Sequence, residues 1–151
     1  AALKLEEAIK QKRFESPQIK AMLNIMYTAN WLMGEFRDVY KPFGITPQQY
    51  NVLRILRGKH PESINPSEIK EVMIDKNPDI TRLCDRLLAM GLIGRSIDSD
   101  NRRKMNIVIT DQGLHLLAQI QPLLTERQTQ ILHRSDINFE LLSELLDELR
   151  G

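Results

Sequence analysis

The sequence predicts a mainly α-helical protein that breaks once into a small β-hairpin, with long helices at both ends. Three observations carry this. A polar cap followed by proline, a helix-start signal, recurs along the chain. Between these starts, apolar residues fall at helical spacing. After Gly91 the period changes to alternation, and it stays so until Thr110.

Taken in order, a short helix over residues 3–14 precedes Ser16-Pro17, an N-cap with proline at the first helical position. From there Ile19, Met22, Leu23, Met26, Ala29, Met33 and Phe36 mark a helix to about Tyr40, broken by Lys41-Pro42-Phe43-Gly44. Thr46-Pro47 opens the next, through Tyr50, Leu53 and Leu56 to a stop at Gly58. Lys59 to Ile64 reads as a loop. Asn65-Pro66 begins a third helix, with Glu68 placed for a capping box and Ile69, Val72 and Met73 following. Asn77-Pro78 begins a fourth, through Ile80, Leu83, Leu87 and Leu88 to Gly91.

The alternating stretch places Leu92, Ile93 and Ile97 on one strand and Met105, Ile107 and Ile109 on another. Residues 98–102 between them are polar and turn-prone. Thr110 caps a long helix through Leu114, Leu117, Ile120 and Leu124, which Pro122 is expected to kink or break. A last helix carries Phe139, Leu142, Leu145, Leu146 and Leu149 on one stripe. The expected division is an N-terminal helical arm over 1–43, a lobe over 44–110 and a C-terminal helical arm over 111–151.

Composition narrows the function classes. The 151 residues are 42% hydrophobic and 27% charged, which excludes a wholly disordered chain. A single cysteine excludes an internal disulfide framework. No apolar run approaches the roughly 18 residues that span a bilayer, and the first residues lack the layout of a signal peptide; a soluble, cytoplasmic protein is expected. His60, His115 and His133 are scattered, with no metal-ligand spacing. There is no glycine-rich phosphate loop and no nucleophile elbow, so neither an enzyme nor a cofactor is predicted.

The formal net charge of +1 hides a pattern. Residues 76–104 carry a net +3 and residues 126–151 a net −3. A basic middle with an acidic tail hints at polyanion binding. The order of elements sharpens that hint, because three short helices leading into a hairpin make a winged helix-turn-helix. A helix of this length fits the major groove of duplex DNA, and a narrow hairpin can probe the minor groove. The last of the three, about residues 78–90, is the predicted recognition helix. Asn77, Asp79, Thr81, Arg82, Asp85 and Arg86 lie off its apolar stripe. Asn77, Thr81, Arg82 and Arg86 are the predicted DNA contacts, since Asn and Arg can contact base edges and Thr and Arg can hold phosphate. At the hairpin tip, Arg102 and Arg103 are the predicted minor-groove cations. Asp79 is read as a helix cap before it is read as a base contact.

Ordered motifs across about half of the chain resemble one family. The run Gly44-Ile45-Thr46-Pro47-Gln48-Gln49-Tyr50-Asn51-Val52-Leu53 resembles a helix start of the MarR (multiple antibiotic resistance regulator) family. Ile80-Thr81-Arg82-Leu83-Cys84-Asp85-Arg86-Leu87, then Met90-Gly91-Leu92-Ile93, is similar to its recognition helix and entry to the wing. Arg102-Arg103 with Ile109-Thr110 and Gly113 resembles its wing and exit, although this chain has Asn101 where the family has aspartate. The resemblance implies a homodimeric, ligand-responsive repressor that binds a palindromic operator in double-stranded DNA, the long terminal helices forming the dimer. In the family such a regulator can take a small aromatic effector, for which Tyr27, Trp31, Met33, Tyr40 and Phe43 are concentrated residues of suitable type, although packing of the dimer core accounts for them better. No effector-binding residue is assigned.

Two further readings stay open at this stage. Cys84 lies in the recognition helix, where an exposed thiol beside Arg82 and Arg86 would suit a redox sensor and a buried one would only fill the core. Alternatively, a winged-helix fold could serve as a protein-interaction module without binding DNA.

Overall fold

The computed structural model describes residues 3–97, 100, 105–133 and 136–151. Seven helices and one hairpin follow in order among them: α1 (Leu5–Ala8), α2 (Pro17–Tyr40), α3 (Pro47–Lys59), α4 (Pro66–Val72), α5 (Ile80–Ala89), β1 (Ile93–Ile97), β2 (Met105–Ile109), α6 (Asp111–Leu132) and α7 (Phe139–Arg150). A 3₁₀ turn at Lys41–Phe43 ends α2, and Gly44 at φ 73° reverses the chain into α3. The winged arrangement of α3, α4, α5 and the hairpin is as expected.

Polar caps set most helix starts by satisfying backbone N–H groups that the helix cannot. Ser16, Thr46, Asn65, Asp79, Thr110 and Asn138 each accept from the N–H three residues on, at 3.0–3.2 Å. Thr46 goes further and forms a reciprocal box, its own N–H donating to Gln49 Oε1 at 2.9 Å.

Several boundaries differ from the sequence expectation. Helix α1 is a single turn rather than a helix over 3–14, because Lys10 takes a left-handed φ of 53°. Helix α3 runs past Gly58 to Lys59. At Asn65 the expected box does not form, and Glu68 Oε1 instead accepts from the Asn65 side-chain Nδ2 at 3.1 Å. Helix α5 starts at Ile80 with Asp79 as its cap, so Asn77-Pro78 is an approach to the helix and not its first turn. Pro122 does not break α6. Buried Ile120 and Leu124 flank it, and the ion pair of Arg127 with Glu35 of α2, at 2.8 Å, clamps the helix beyond it.

The hairpin is antiparallel, with Ile93 opposite Ile109 and Arg95 opposite Ile107. Ile64 adds one bridge on the far side of β2, exchanging two backbone hydrogen bonds with Ile107 at 2.8 and 2.9 Å. The loop before α4 is thereby tied to the sheet. Between the hairpin, helices α3 to α5, the end of α2 and the first part of α6 lies one core, in which Leu53, Leu56, Ile69, Leu87, Leu117 and Ile120 are all but inaccessible. Each such side chain contributes roughly 1.5–3 kcal/mol by leaving water.

The terminal helices do not complete a core of their own. On α2, Met22, Met26, Tyr27 and Trp31 are exposed, and on α7 so are Phe139, Leu141, Leu142, Leu145 and Leu149. Helix α7 buries no residue at all. Two apolar helix faces therefore stand open to solvent in the single chain.

Candidate nucleic-acid interface

Helix α5 is sharply two-sided. Leu83, Cys84 and Leu87 are buried against the lobe core, while Thr81, Arg82, Asp85 and Arg86 face solvent on the other side. The partition follows from spacing: residues 83, 84 and 87 share one face of a 3.6-residue helix, and 81, 82, 85 and 86 share the opposite one. Asn77 is also exposed, before the helix. Three of the four predicted recognition residues thus share one solvent-facing surface, and the fourth lies just ahead of it.

Both acidic residues of this region are engaged. Asp79 accepts from the Arg82 backbone N–H at 3.1 Å as the helix cap. Asp85 receives the guanidinium of Arg95, on β1, at 3.4 Å, a long and exposed contact. Neither carboxylate pairs with Arg82 or Arg86, whose guanidinium groups form no ion pair among the described residues. Arg95 had no assigned role from the sequence, and its alternation within a strand carried no sign that it would reach α5. Arg102 and Arg103, the predicted wing cations, lie outside the described residues.

The end of α5 fixes the entry to the hairpin. Gly91, at φ 74°, adopts the left-handed conformation that side chains disfavour. Its N–H donates to Leu88 O at 3.0 Å and that of Leu92 to Leu87 O at 3.1 Å, which closes the helix in a Schellman motif. On the exit side, the Thr110 hydroxyl donates to Gly91 O at 2.7 Å and accepts from Gly113 N–H at 3.1 Å. Helix α5, both strands and the start of α6 thus meet at one hydrogen-bonded junction.

Cys84 belongs to the core and not to this surface. It is 4% exposed, and burial, with the Asp85 carboxylate adding to it, pushes its thiol up to about 11. A thiol held protonated and covered is a poor nucleophile.

The aromatic and methionine residues of the 22–50 region do not converge. Tyr40 is buried and stacks on Tyr50, and Phe43 packs beside the lobe core. Tyr27, Trp31 and Met33 are instead exposed on α2. A cavity of about 280 Å³ between α2 and α6 is lined by Asp38, Val39, Pro42, Leu123, Glu126, Arg127 and Gln130, none of them aromatic. Among the described residues no cluster of three or more His, Cys, Asp or Glu side chains could hold a metal. No described helix is long and apolar enough to cross a membrane.

Residues 45–105, from the turn before α3 to the start of β2, match the sequence profile of the MarR family. A MarR transcription factor from Planctomyces limnophilus, of known crystal structure, is 32% identical, with 91% of this chain and 98% of that one covered and a TM-score of 0.69. The HTH-type transcriptional regulator PecS of Dickeya dadantii is 25% identical over 136 residues, 86% of this chain and 82% of PecS. A mutant MarR from E. coli, crystallised in complex with operator DNA, has the same fold at a TM-score of 0.75 and 21% identity, covering 92% of this chain and 100% of that one. With identity of that order extending over nearly all of the Planctomyces protein, and the family profile seated on the helices and hairpin that build this surface, the chain belongs to the MarR family of transcriptional regulators.

Proposed function

We propose that the protein is a cytoplasmic repressor that binds a palindromic operator in double-stranded DNA as a homodimer. In this reading Asn77, Thr81, Arg82 and Arg86 enter the major groove, and Arg102 and Arg103 reach the adjacent minor groove. The observation that carries it is the two-sidedness of α5: its apolar face is buried in the lobe, and its other face offers the Arg82 and Arg86 guanidinium groups, which form no ion pair among the described residues. The DNA complex of the E. coli relative supports the same use of the fold.

Dimerisation has its own support in the open apolar faces of α2 and α7. A contiguous exposed stripe of that kind marks an interaction site, and two-fold pairing would present two copies of α5 to two half-sites. Residues 1–43 and 111–151 are then the dimerisation arms and residues 44–110 the DNA-binding lobe. The function is regulatory, and no catalysis is assigned to it. Ligand response belongs to the proposal as a shift between dimers with matching and non-matching half-site spacing.

Selection from a randomised duplex library, followed by a salt titration on the recovered sites, tests the DNA reading. An enriched palindrome bound by two copies, with affinity falling as salt rises, is the expected result. Failure of the folded dimer to enrich any sequence, with and without candidate small aromatic ligands, would favour a protein-interaction module instead.

A further inference from the structure

Two polar side chains are buried among the described residues, Gln49 and Asn51, both on α3. The first is explained by its box with Thr46. Asn51 is not explained by its helix: asparagine is a weak helix former, and at 5% exposure its amide has lost water. Its Oδ1 accepts the Ile74 backbone N–H at 2.9 Å, across 23 residues of sequence. Its Nδ2 is buried with no hydrogen-bond partner among the described residues. The amide cannot be turned over to relieve this, because Nδ2 would then face the Ile74 N–H, donor against donor. A leucine would fill similar space without an orphaned donor, so packing alone does not account for asparagine here.

What Asn51 holds is the non-helical segment between α4 and α5. Met73 leaves α4 in extended conformation and is buried, and Asp79 caps α5. Between them the Ile74 side chain is 83% exposed, so its apolar body does not anchor the chain. The inward tie at this point is the hydrogen bond from its backbone N–H to Asn51 Oδ1. Asn77 follows in that segment, and buried Pro78 joins it to the Asp79 cap of α5.

We propose that Asn51 is a positioning residue for DNA recognition: by fixing the backbone at Ile74 it sets where Asn77 and the N-terminus of α5 enter the groove. The proposal rests on the DNA reading above. Asn51 touches no DNA in it. Its effect is on sequence preference more than on charge-driven affinity, because phosphate attraction tolerates a shifted helix and base-edge hydrogen bonds do not.

The test uses the full chain with Asn51→Leu, which removes the acceptor, and Asn51→Asp, which keeps it. Hydrogen exchange at the Ile74 amide reads the tie directly, and library selection reads the preference. For Asn51→Leu we expect Ile74 exchange to rise about tenfold or more while Leu56 stays protected. Affinity for the parental site should fall about tenfold further than affinity for a scrambled duplex. Asn51→Asp should retain both Ile74 protection and the parental site preference. Unchanged site preference in a folded Asn51→Leu protein would overturn the proposal. So would loss of preference in Asn51→Asp with Ile74 still protected, and the Asp variant decides the matter alone if the Leu variant does not fold. Parental protein that enriches no duplex overturns the DNA reading itself, a result distinct from either of these.

Discussion

The rings of Tyr40 and Tyr50 stack with centroids 4.5 Å apart and planes 16° from parallel. Tyr40 is the last residue of α2 and Tyr50 lies in the first turns of α3, so the stack joins the long N-terminal helix to the lobe. Tyr40 is 4% exposed, and burial, followed by the neighbouring Tyr50, holds its phenol well above the ordinary range. Replacing Tyr40 with alanine should destabilise the fold by about 3 kcal/mol or more through lost burial and the cavity left behind. Tyr40→Phe, which keeps the ring, should cost much less. Urea denaturation of both variants measures the difference, and equal losses would show that the ring is not what matters.

Gly113 permits a close approach between α6 and the strand entry. A Cβ built there would lie 2.3 Å from Leu92 O and 2.7 Å from Ile109 Cγ1. Gly113→Ala should therefore lower stability by about 1–3 kcal/mol, against the usual helical preference for alanine. A thermal midpoint unchanged or raised would contradict this contact.

The Cys84 thiol predicts an alkaline dependence of stability. Its value is raised in the folded state from an ordinary 9.0 to about 11, so the unfolded chain loses the proton first. The stabilisation is complete below about pH 9 and is lost as pH rises from there through 11. Cys84→Ala should show a flatter stability profile over that window. At pH 8 the native thiol should react with a thiol reagent far more slowly than the denatured one. Rapid native labelling would reopen the redox reading.

For the arms, Leu142→Glu with Leu145→Glu places carboxylates in the middle of the α7 apolar stripe, where both leucines are exposed in the single chain. Sedimentation should show the dimer weakened by at least about 100-fold, since a buried unpaired charge is costly at an interface. A variant that remains fully dimeric would move the interface away from α7.

At the proposed DNA face, Arg82→Ala should cost roughly 1–3 kcal/mol on the selected site and relax preference at one base position if Arg82 reads a base edge. A uniform loss on all duplexes, with a smaller salt slope, would assign Arg82 to phosphate instead.

Much of this architecture is local in origin, and to that extent the sequence by itself determined it. Ser16, Thr46, Asn65 and Thr110 cap the helices they precede because a side-chain oxygen needs to reach only three residues along the chain. The two faces of α5, and with them the exposure of Thr81, Arg82 and Arg86, follow from the helical period alone. The family motifs lie in these same local patterns. Non-local packing decided the rest. Whether Pro122 breaks α6 depends on what flanks it, and the contacts to α2 and the lobe keep the helix whole. Whether Cys84 is reactive depends on burial that the spacing suggested and only the assembled core creates. Arg95 meets Asp85 because β1 packs on α5, and Asn51 meets Ile74 because α3 packs on α4 and α5. Contacts between residues 10 and 23 positions apart leave no periodic trace in a sequence, since nothing in the local conformational preference of either partner requires the other.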